Sequence, residues 1–116
     1  MAPTLVFDKA TGQLVMSAGS PGGALIIHYT AKTIYGTLNW GLNAQQAIDL
    51  PNFASLNGPS ILEERRFPPA TVEALRARGA EVREQAMTSG LQAIQRTPTG
   101  WFGGADPRRE GVVMGD

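Results

Sequence analysis

A run of seven small residues, residues 17–23 (Ser-Ala-Gly-Ser-Pro-Gly-Gly), constrains the fold of this 116-residue chain more than any other feature. Glycine and proline interrupt both helix and strand, so regular structure must break within this run. Before it, residues 4–7 and 13–16 are predicted to form the two strands of a hairpin around a turn at residues 8–12. After it, residues 24–38 are predicted to form a helix. The run is therefore a strand-to-helix connection.

Two further patterns follow the run. The apolar residues of the 24–38 helix surround much of its axis, which predicts a central, buried helix. Asn43 followed three positions later by Gln46 is typical of a capping box, so a short helix should begin there and stop before Pro51. Residues 52–59, rich in Asn, Ser and Gly, are predicted to form a loop.

The second half of the chain adds mainly strands. Residues 60–63 form a predicted strand, and a predicted helix begins at Pro68 and ends at Gly79. Short strands are predicted at residues 81–84, 91–96 and 101–105. The order β-β-α-α-β-α-β-β-β predicts an α+β fold, with helices on one face of a mostly antiparallel sheet. The length predicts that residues 1–116 are a single domain.

Composition excludes several classes of function. Ten basic residues balance ten acidic ones, so no net charge attracts nucleic acid or an anionic membrane. The chain has no cysteine, which removes thiolate nucleophiles and cysteine-ligated metals, and its single histidine, His28, excludes multi-histidine metal sites. We therefore expect no metal and no cofactor. The first residues lack a signal-peptide pattern, and the longest apolar stretch is too short to cross a membrane.

The candidate site is the pair Gly22 and Gly23, where the predicted helix begins. Backbone N–H groups in the first turn of a helix have no partner within the helix, and glycine leaves them unshielded. Such donors can bind a phosphate or carboxylate, or hold the oxyanion of an acyl-transfer intermediate. The alternative is a tight turn in which glycine only satisfies the backbone. By itself, Ser20 is interpreted as a turn residue.

Other chemically active side chains have simpler interpretations. Asp106 and Arg108 can bind an anion, but a structural role, with Asp capping the turn and Arg holding the C-terminal segment, fits better. Residues 63–66 are predicted to be a solvated run of charges. Four aromatic residues are predicted to pack in the core or against the helix: Tyr29, Tyr35, Trp101 and Phe102.

Six segments, in order, resemble the γ-glutamyltransferases (glutathione hydrolases). Residues 19–23 resemble the Gly-Ser-Pro-Gly-Gly motif of that family, and residues 35–48 resemble its helix pair. Residues 64–67, the 68–79 helix and residues 89–94 also fit, and residues 103–111, with Ala-Asp-Pro-Arg at their centre, resemble its C-terminal signature. The resemblance spans essentially the whole chain and identifies it as the C-terminal part of the family's small subunit.

The resemblance implies a fragment of the αββα sandwich of N-terminal nucleophile hydrolases. In that family a precursor cleaves itself, and a new N-terminal threonine attacks the γ-glutamyl bond of glutathione. The acyl group then passes to water, an amino acid or a peptide. By this match, Gly22 and Gly23 donate the oxyanion-hole N–H groups. Ser20 is a separate candidate for contact with substrate, and Asp106 with Arg108 is expected to form a structural motif.

The departures from the family matter equally. No residue here matches the catalytic threonine, so the chain is expected to be inactive alone. The family's paired substrate serines would lie immediately before Met1, which suggests a shortened gene or a cut chain. Expected partners are the rest of the transferase and, for the parent enzyme, glutathione or other γ-glutamyl compounds, in a periplasmic or extracellular location. The alternative is a module without catalysis that self-assembles as a homodimer or binds an anion.

Overall fold

The computed structural model describes residues 2–115. In chain order its elements are β1 (Thr4–Phe7), β2 (Leu14–Gly19), a 3-10 helix (Gly23–Leu25), α1 (Ile26–Asn39), α2 (Ala44–Asp49), β3 (Phe53–Ser55), β4 (Ser60–Glu63), α3 (Pro69–Ala77), β5 (Val82–Gln85), β6 (Gln92–Thr97) and β7 (Gly100–Ala105). They form two compact units: Pro51–Met87 is one, and the chain up to Leu50 with the chain from Thr88 onward is the other. The single domain expected for the whole chain stays a prediction.

The predicted hairpin is confirmed. Strands β1 and β2 pair antiparallel, with a bulge between Val6 and Phe7. In the turn, one carboxylate oxygen of Asp8 accepts hydrogen bonds from the N–H groups of Ala10 and Thr11, both at 2.8 Å. The bonds from Thr11 and then Ala10 hold the pKa of Asp8 below its usual value. Their contribution to stability is present above the unfolded-state pKa and is lost as the pH falls through the folded-state pKa.

The first unit is a four-stranded antiparallel sheet with both helices on one face. Its strand order is β1-β2-β6-β7. Met16, Ala18 and Ala93 lie on the helix-facing side and are at most 5% exposed. At Gly104 in β7, a Cβ atom would lie 2.9 Å from the backbone nitrogen of Gln45, so glycine lets α2 approach the sheet closely. The predicted α+β class, mostly antiparallel with helices on one face, is confirmed.

The opposite face of this sheet is apolar and largely open, with Val113 of the C-terminal segment lying over it at Gly103. Leu5, Ile94 and Trp101 lie on it and are 60%, 48% and 51% exposed, and the guanidinium of Arg96 stacks 4.5 Å from the Trp101 ring centre. The prediction that Trp101 and Phe102 close the core is wrong for this unit: Trp101 lies on the face that the helices leave uncovered, and Phe102 lies on the helix-facing side, opposite Gln95, but is not buried there. Phe102 is 38% exposed.

Helix α1 forms where the apolar pattern predicts it, but it is not buried on all sides. Ile27, Tyr35 and Leu38 are 70%, 52% and 49% exposed, whereas Tyr29 is 2% exposed. Tyr35 contacts Trp40 edge to face rather than a core. The reason is that α2 and β2 contact only part of the helix surface, so the prediction of a central, fully buried helix is wrong within this unit.

Helix α2 is defined at both ends by side chains. The predicted capping box is confirmed: the Asn43 side chain accepts from the Gln46 N–H, and the Gln46 side chain accepts from the Asn43 N–H. At the other end the buried Lys32 ammonium donates to the carbonyls of Ile48 and Leu50 at 2.9 and 2.8 Å. A cation at a helix C-terminus satisfies carbonyls that have no partner within the helix.

The second unit is a three-stranded sheet in the order β3-β4-β5, in which β4 and β5 are parallel and are linked through α3. The sequence predicted a loop where β3 forms, because Phe53–Ser55 is short and lies among turn-forming residues. Glu63, predicted to be solvated, is 6% exposed and accepts a hydrogen bond from the Asn52 N–H at 3.0 Å. The prediction that Glu63 belongs to a solvated run of charges is therefore wrong, because Glu63 is a buried hydrogen-bond acceptor.

The capping box gives a direct test of the first unit. Asn43→Ala leaves the Gln46 N–H without its acceptor, and we expect a loss of about 1 kcal/mol in the free energy of unfolding. Urea denaturation followed by circular dichroism measures it. Asn39→Ala is the matched control, because Asn39 is an exposed residue at the end of α1. Equal losses in both variants would contradict the capping role.

Candidate functional site

The candidate site is the turn between β2 and α1. β2 ends at Gly19 and the 3-10 helix begins at Gly23. Gly22 has a φ of 140° and Gly23 a φ of 61°, values that L side chains rarely adopt. A Cβ atom on Gly22 would also lie 2.7 Å from Cε2 of the buried Tyr29. Backbone conformation and packing therefore both require glycine at position 22.

The N–H groups of Gly22 and Gly23 are available to a ligand. The carbonyls of these residues accept from the N–H groups of Leu25 and Ile26, which starts the helix. Neither glycine N–H has an acceptor among residues 2–115. Gly22 is partly exposed and Gly23 is exposed. Two consecutive unpaired donors of this kind can hold one negatively charged oxygen.

Ser20 lies directly before this turn and is buried, with 1% of its surface exposed. Its hydroxyl donates to the carbonyl of Pro21 at 2.7 Å and accepts from the N–H of Gly90 at 3.1 Å. Gly90 also touches the Pro21 ring, since a Cβ on Gly90 would lie 2.9 Å from Pro21 Cγ. A cavity of about 320 Å³ opens beside this contact. The contact of Ser20 with substrate stays a prediction.

The segment that supplies Gly90 is held by Asp106. This carboxylate is 2% exposed. One of its oxygens accepts from the Ser89 hydroxyl and from the Leu91 N–H at 3.1 Å. The other accepts from the backbone N–H and the guanidinium of Arg108, both at 3.0 Å. A buried carboxylate with four donors is well compensated for its loss of water.

Arg108 links this carboxylate to α2. Its guanidinium donates to the carbonyls of Ile48 and Leu50 at 3.0 and 2.9 Å, the same two carbonyls that Lys32 contacts. Asp106 and Arg108 together therefore join three segments: their own C-terminal turn, residues 89–91 and the end of α2. Arg109 extends it by donating to the carbonyl of Thr88 at 2.9 Å.

The structure thus brings together Ser20, Gly22 and Gly23 at one turn. Asp106 does not contact Ser20 directly but holds Ser89 and Leu91, on either side of the Gly90 that donates to Ser20. Sequence reasoning assigned no role to Ser89, Gly90 or Lys32, although residues 89–94 belong to one of the motifs. His28 is partly exposed on α1. Within residues 2–115 no three potential metal ligands cluster, and none of the helices described there is long and apolar enough to cross a membrane.

Comparisons with known proteins agree on one family. The family model described as "Gamma-glutamyltranspeptidase" matches residues 1–116. The "Glutathione hydrolase proenzyme" of Escherichia coli (strain K12) is 34% identical over 110 residues, which are 93% of this chain and 19% of that protein. The "Acylase ACY 1 proenzyme" of Pseudomonas sp. (strain SE83) is 30% identical over 106 residues, 90% of this chain and 18% of that protein.

A solved structure shows the same relationship. The T380A mutant of Helicobacter pylori gamma-glutamyltranspeptidase superposes with a TM-score of 0.84 at 25% identity, covering 94% of this chain and 61% of that one. The chain therefore spans about a fifth of the length of the curated relatives it matches. The expected fold, a fragment of an N-terminal nucleophile hydrolase, is confirmed.

The Asp106 contacts can be tested by stability. Asp106→Ala leaves the Arg108 guanidinium, the Ser89 hydroxyl and the Leu91 N–H without their shared acceptor. Removing one partner of a buried ion pair costs about 3–5 kcal/mol, so we expect a large fall in the thermal midpoint. Asp106→Asn, which keeps an acceptor oxygen, should lose less, and Glu110→Ala, at an exposed acid nearby, should lose almost nothing. Similar midpoints for Asp106→Ala and Glu110→Ala would contradict the assigned contacts.

Proposed function

Since this chain belongs to the gamma-glutamyltranspeptidase family, we propose that it supplies the oxyanion hole of an enzyme that transfers γ-glutamyl groups. The observation that supports this most is the pair of unpaired N–H groups at Gly22 and Gly23. Backbone donors need no proton transfer of their own. They are useful where negative charge develops on a carbonyl oxygen.

The proposed chemistry is acyl transfer in two stages. The threonine hydroxyl that the family uses as nucleophile comes from outside the 116 residues and attacks the γ-carbonyl carbon. The carbonyl oxygen becomes an oxyanion between the two glycine N–H groups, and the C–N bond breaks as the leaving amine takes the proton that the threonine hydroxyl gave up. Water or an acceptor amine then attacks the ester through a second oxyanion at the same place, and the proton it loses returns to the threonine oxygen as the threonine is released.

The magnitude of the contribution follows from comparable sites. Losing one oxyanion donor typically lowers the rate by about 100- to 1,000-fold. Losing the nucleophile removes the covalent route altogether. We therefore propose that the 116-residue chain by itself does not turn over glutathione or other γ-glutamyl compounds.

The proposed partner is the remainder of the transferase, the large subunit with the N-terminal part of the small subunit. The open apolar face of the four-stranded sheet, which carries Leu5, Ile94 and Trp101, supports this proposal. Exposing apolar side chains to water is unfavourable, and a second layer that covers this face would remove them from water. By family resemblance the parent enzyme acts in the periplasm or outside the cell.

The same face favours a second candidate, a homodimer of this chain without catalysis. Two copies can bury the apolar side chains of the face against each other. Sedimentation equilibrium separates the candidates: a monomer across the concentration range contradicts the homodimer, and a dimer that Leu5→Lys dissociates supports it.

The proposed function is tested by transplanting the chain. A chimera replaces the matching C-terminal segment of the Escherichia coli glutathione hydrolase with residues 1–116, and release of p-nitroaniline from γ-glutamyl-p-nitroanilide is followed. We expect activity from the chimera and only background from the chain alone. A folded, self-processed chimera without activity contradicts the proposal, and so does turnover by the chain alone.

A glycine pair then isolates the oxyanion hole within the chimera. Gly22→Ala forces a side chain into a φ of 140° against Tyr29, and we expect kcat to fall about 100-fold or more. Gly100→Ala is the matched control: its φ is 148°, a Cβ there meets nothing within 4 Å, and it is the first residue of β7, directly after the β6–β7 turn. Equal losses from both variants would show that backbone strain, not the oxyanion hole, lowers the rate.

A further inference from the structure

We propose that Ser20 is a positioning residue that aims the N–H of Gly22, and this inference rests on the proposed function. The Ser20 hydroxyl uses its one proton on the carbonyl of Pro21, at 2.7 Å. It uses a lone pair on the N–H of Gly90, at 3.1 Å. One buried hydroxyl therefore connects the glycine turn to a segment 70 residues further along the chain.

The direction of the Gly22 N–H follows from the geometry of the peptide group between Pro21 and Gly22. The carbonyl of Pro21 and the N–H of Gly22 belong to the same planar trans peptide, so they point in opposite directions. Drawing the carbonyl oxygen towards the buried hydroxyl turns the N–H of Gly22 away from the interior. This N–H has no acceptor among the described residues, which agrees with that orientation.

Without such a restraint this peptide would be loosely held. Glycine follows it at positions 22 and 23, and glycine has the least restricted backbone of any residue. Removing the hydroxyl frees the Pro21 carbonyl and leaves the Gly90 N–H without its acceptor. Rotation of the peptide by a modest angle moves the donor off the position of the oxyanion.

The Gly90 end of the arrangement, which donates its N–H to the Ser20 hydroxyl, is itself fixed. Gly90 lies between Ser89 and Leu91, both of which donate to the buried carboxylate of Asp106. Gly90 also packs against the Pro21 ring, with no room for a Cβ atom. The position of the Ser20 hydroxyl is thus set by the C-terminal motif, and this explains physically why that motif accompanies the glycine turn in the same fold.

The burial of Ser20 argues for positioning rather than for direct contact with substrate. Only 1% of the residue is exposed. Its single proton and one of its two lone pairs are already engaged, so the hydroxyl could donate to a ligand only by breaking its bond to the Pro21 carbonyl. Ser20 therefore acts through Gly22 and not on the reacting atoms.

The first test needs no catalysis and uses the 116-residue chain. Residual dipolar couplings report the direction of the Gly22 N–H, and hydrogen exchange reports its protection. In the unaltered chain we expect a protected Gly90 N–H and a rapidly exchanging Gly22 N–H. In Ser20→Ala we expect the Gly22 coupling to change, whereas Ser17→Ala, the same deletion three residues earlier in β2, should leave it unchanged. A Gly22 N–H that is protected in the unaltered chain overturns the proposal even if Ser20→Ala does not fold.

The second test uses the active chimera. The oxyanion develops only in the transition state, so a Gly22 N–H that points away from it weakens transition-state binding and leaves substrate binding unchanged. Ser20→Ala should therefore lower kcat by on the order of 100-fold with little change in KM. Ser20→Thr, which keeps the hydroxyl, should recover most of the rate. A raised KM with unchanged kcat would assign Ser20 to substrate binding and overturn the proposal.

The two tests separate this inference from the proposed function. If the Gly22 N–H reorients in Ser20→Ala but the unaltered chimera is inactive, the positioning stands and the transferase function fails. If the chimera is active and the Gly22 N–H keeps its direction in Ser20→Ala, the transferase function stands and the positioning is wrong.

Discussion

The buried carboxylate of Asp106 is the interaction on which the first unit depends. A charge with 2% exposure must be matched by donors, and here they come from Ser89, Leu91 and Arg108. Because Arg108 also holds the last carbonyls of α2, one ionic group joins the C-terminal turn, the start of β6 and a helix. Close packing of glycine at positions 90 and 104 lets these segments approach each other.

These contacts hold a segment of flexible sequence, residues 19–23, in one conformation, and so fix the direction of the Gly22 and Gly23 N–H groups. Residues 19–23 contain three glycines and would be mobile in isolation. In the folded chain the helix start fixes the carbonyls of Gly22 and Gly23, and the Ser20 hydroxyl fixes the carbonyl before them. Donors that are fixed in advance stabilise a transition-state charge better than donors that must reorganise. This is the physical reason to connect the fold of this family fragment with acyl transfer.

Much of the fold followed from local patterns in the sequence. The hairpin, the Asn43 capping box and the helix that begins after Pro68 are encoded in residues near one another, and all three form as predicted. Burial was predicted less well, because it depends on what covers each face. Tyr35 and Trp101 are apolar enough for a core, yet each is about half exposed. Glu63 was predicted to be exposed but is buried, because it accepts a hydrogen bond from Asn52, which lies directly before β3 and eleven residues earlier in the chain.

In the candidate site, too, the local motifs could be predicted from the sequence and the long-range contacts could not. The glycine pair and the Asp-Pro-Arg motif are visible in the sequence, but the bond from Gly90 to Ser20 spans 70 residues and has no local signal. The most direct measurement of the central claim uses the transplanted chain with a boronic acid analogue of the γ-glutamyl substrate, whose tetrahedral boronate mimics the oxyanion. Amide proton spectra should show the Gly22 and Gly23 resonances moving strongly downfield together when the analogue binds. Tight binding of the analogue with both resonances unmoved would contradict the account.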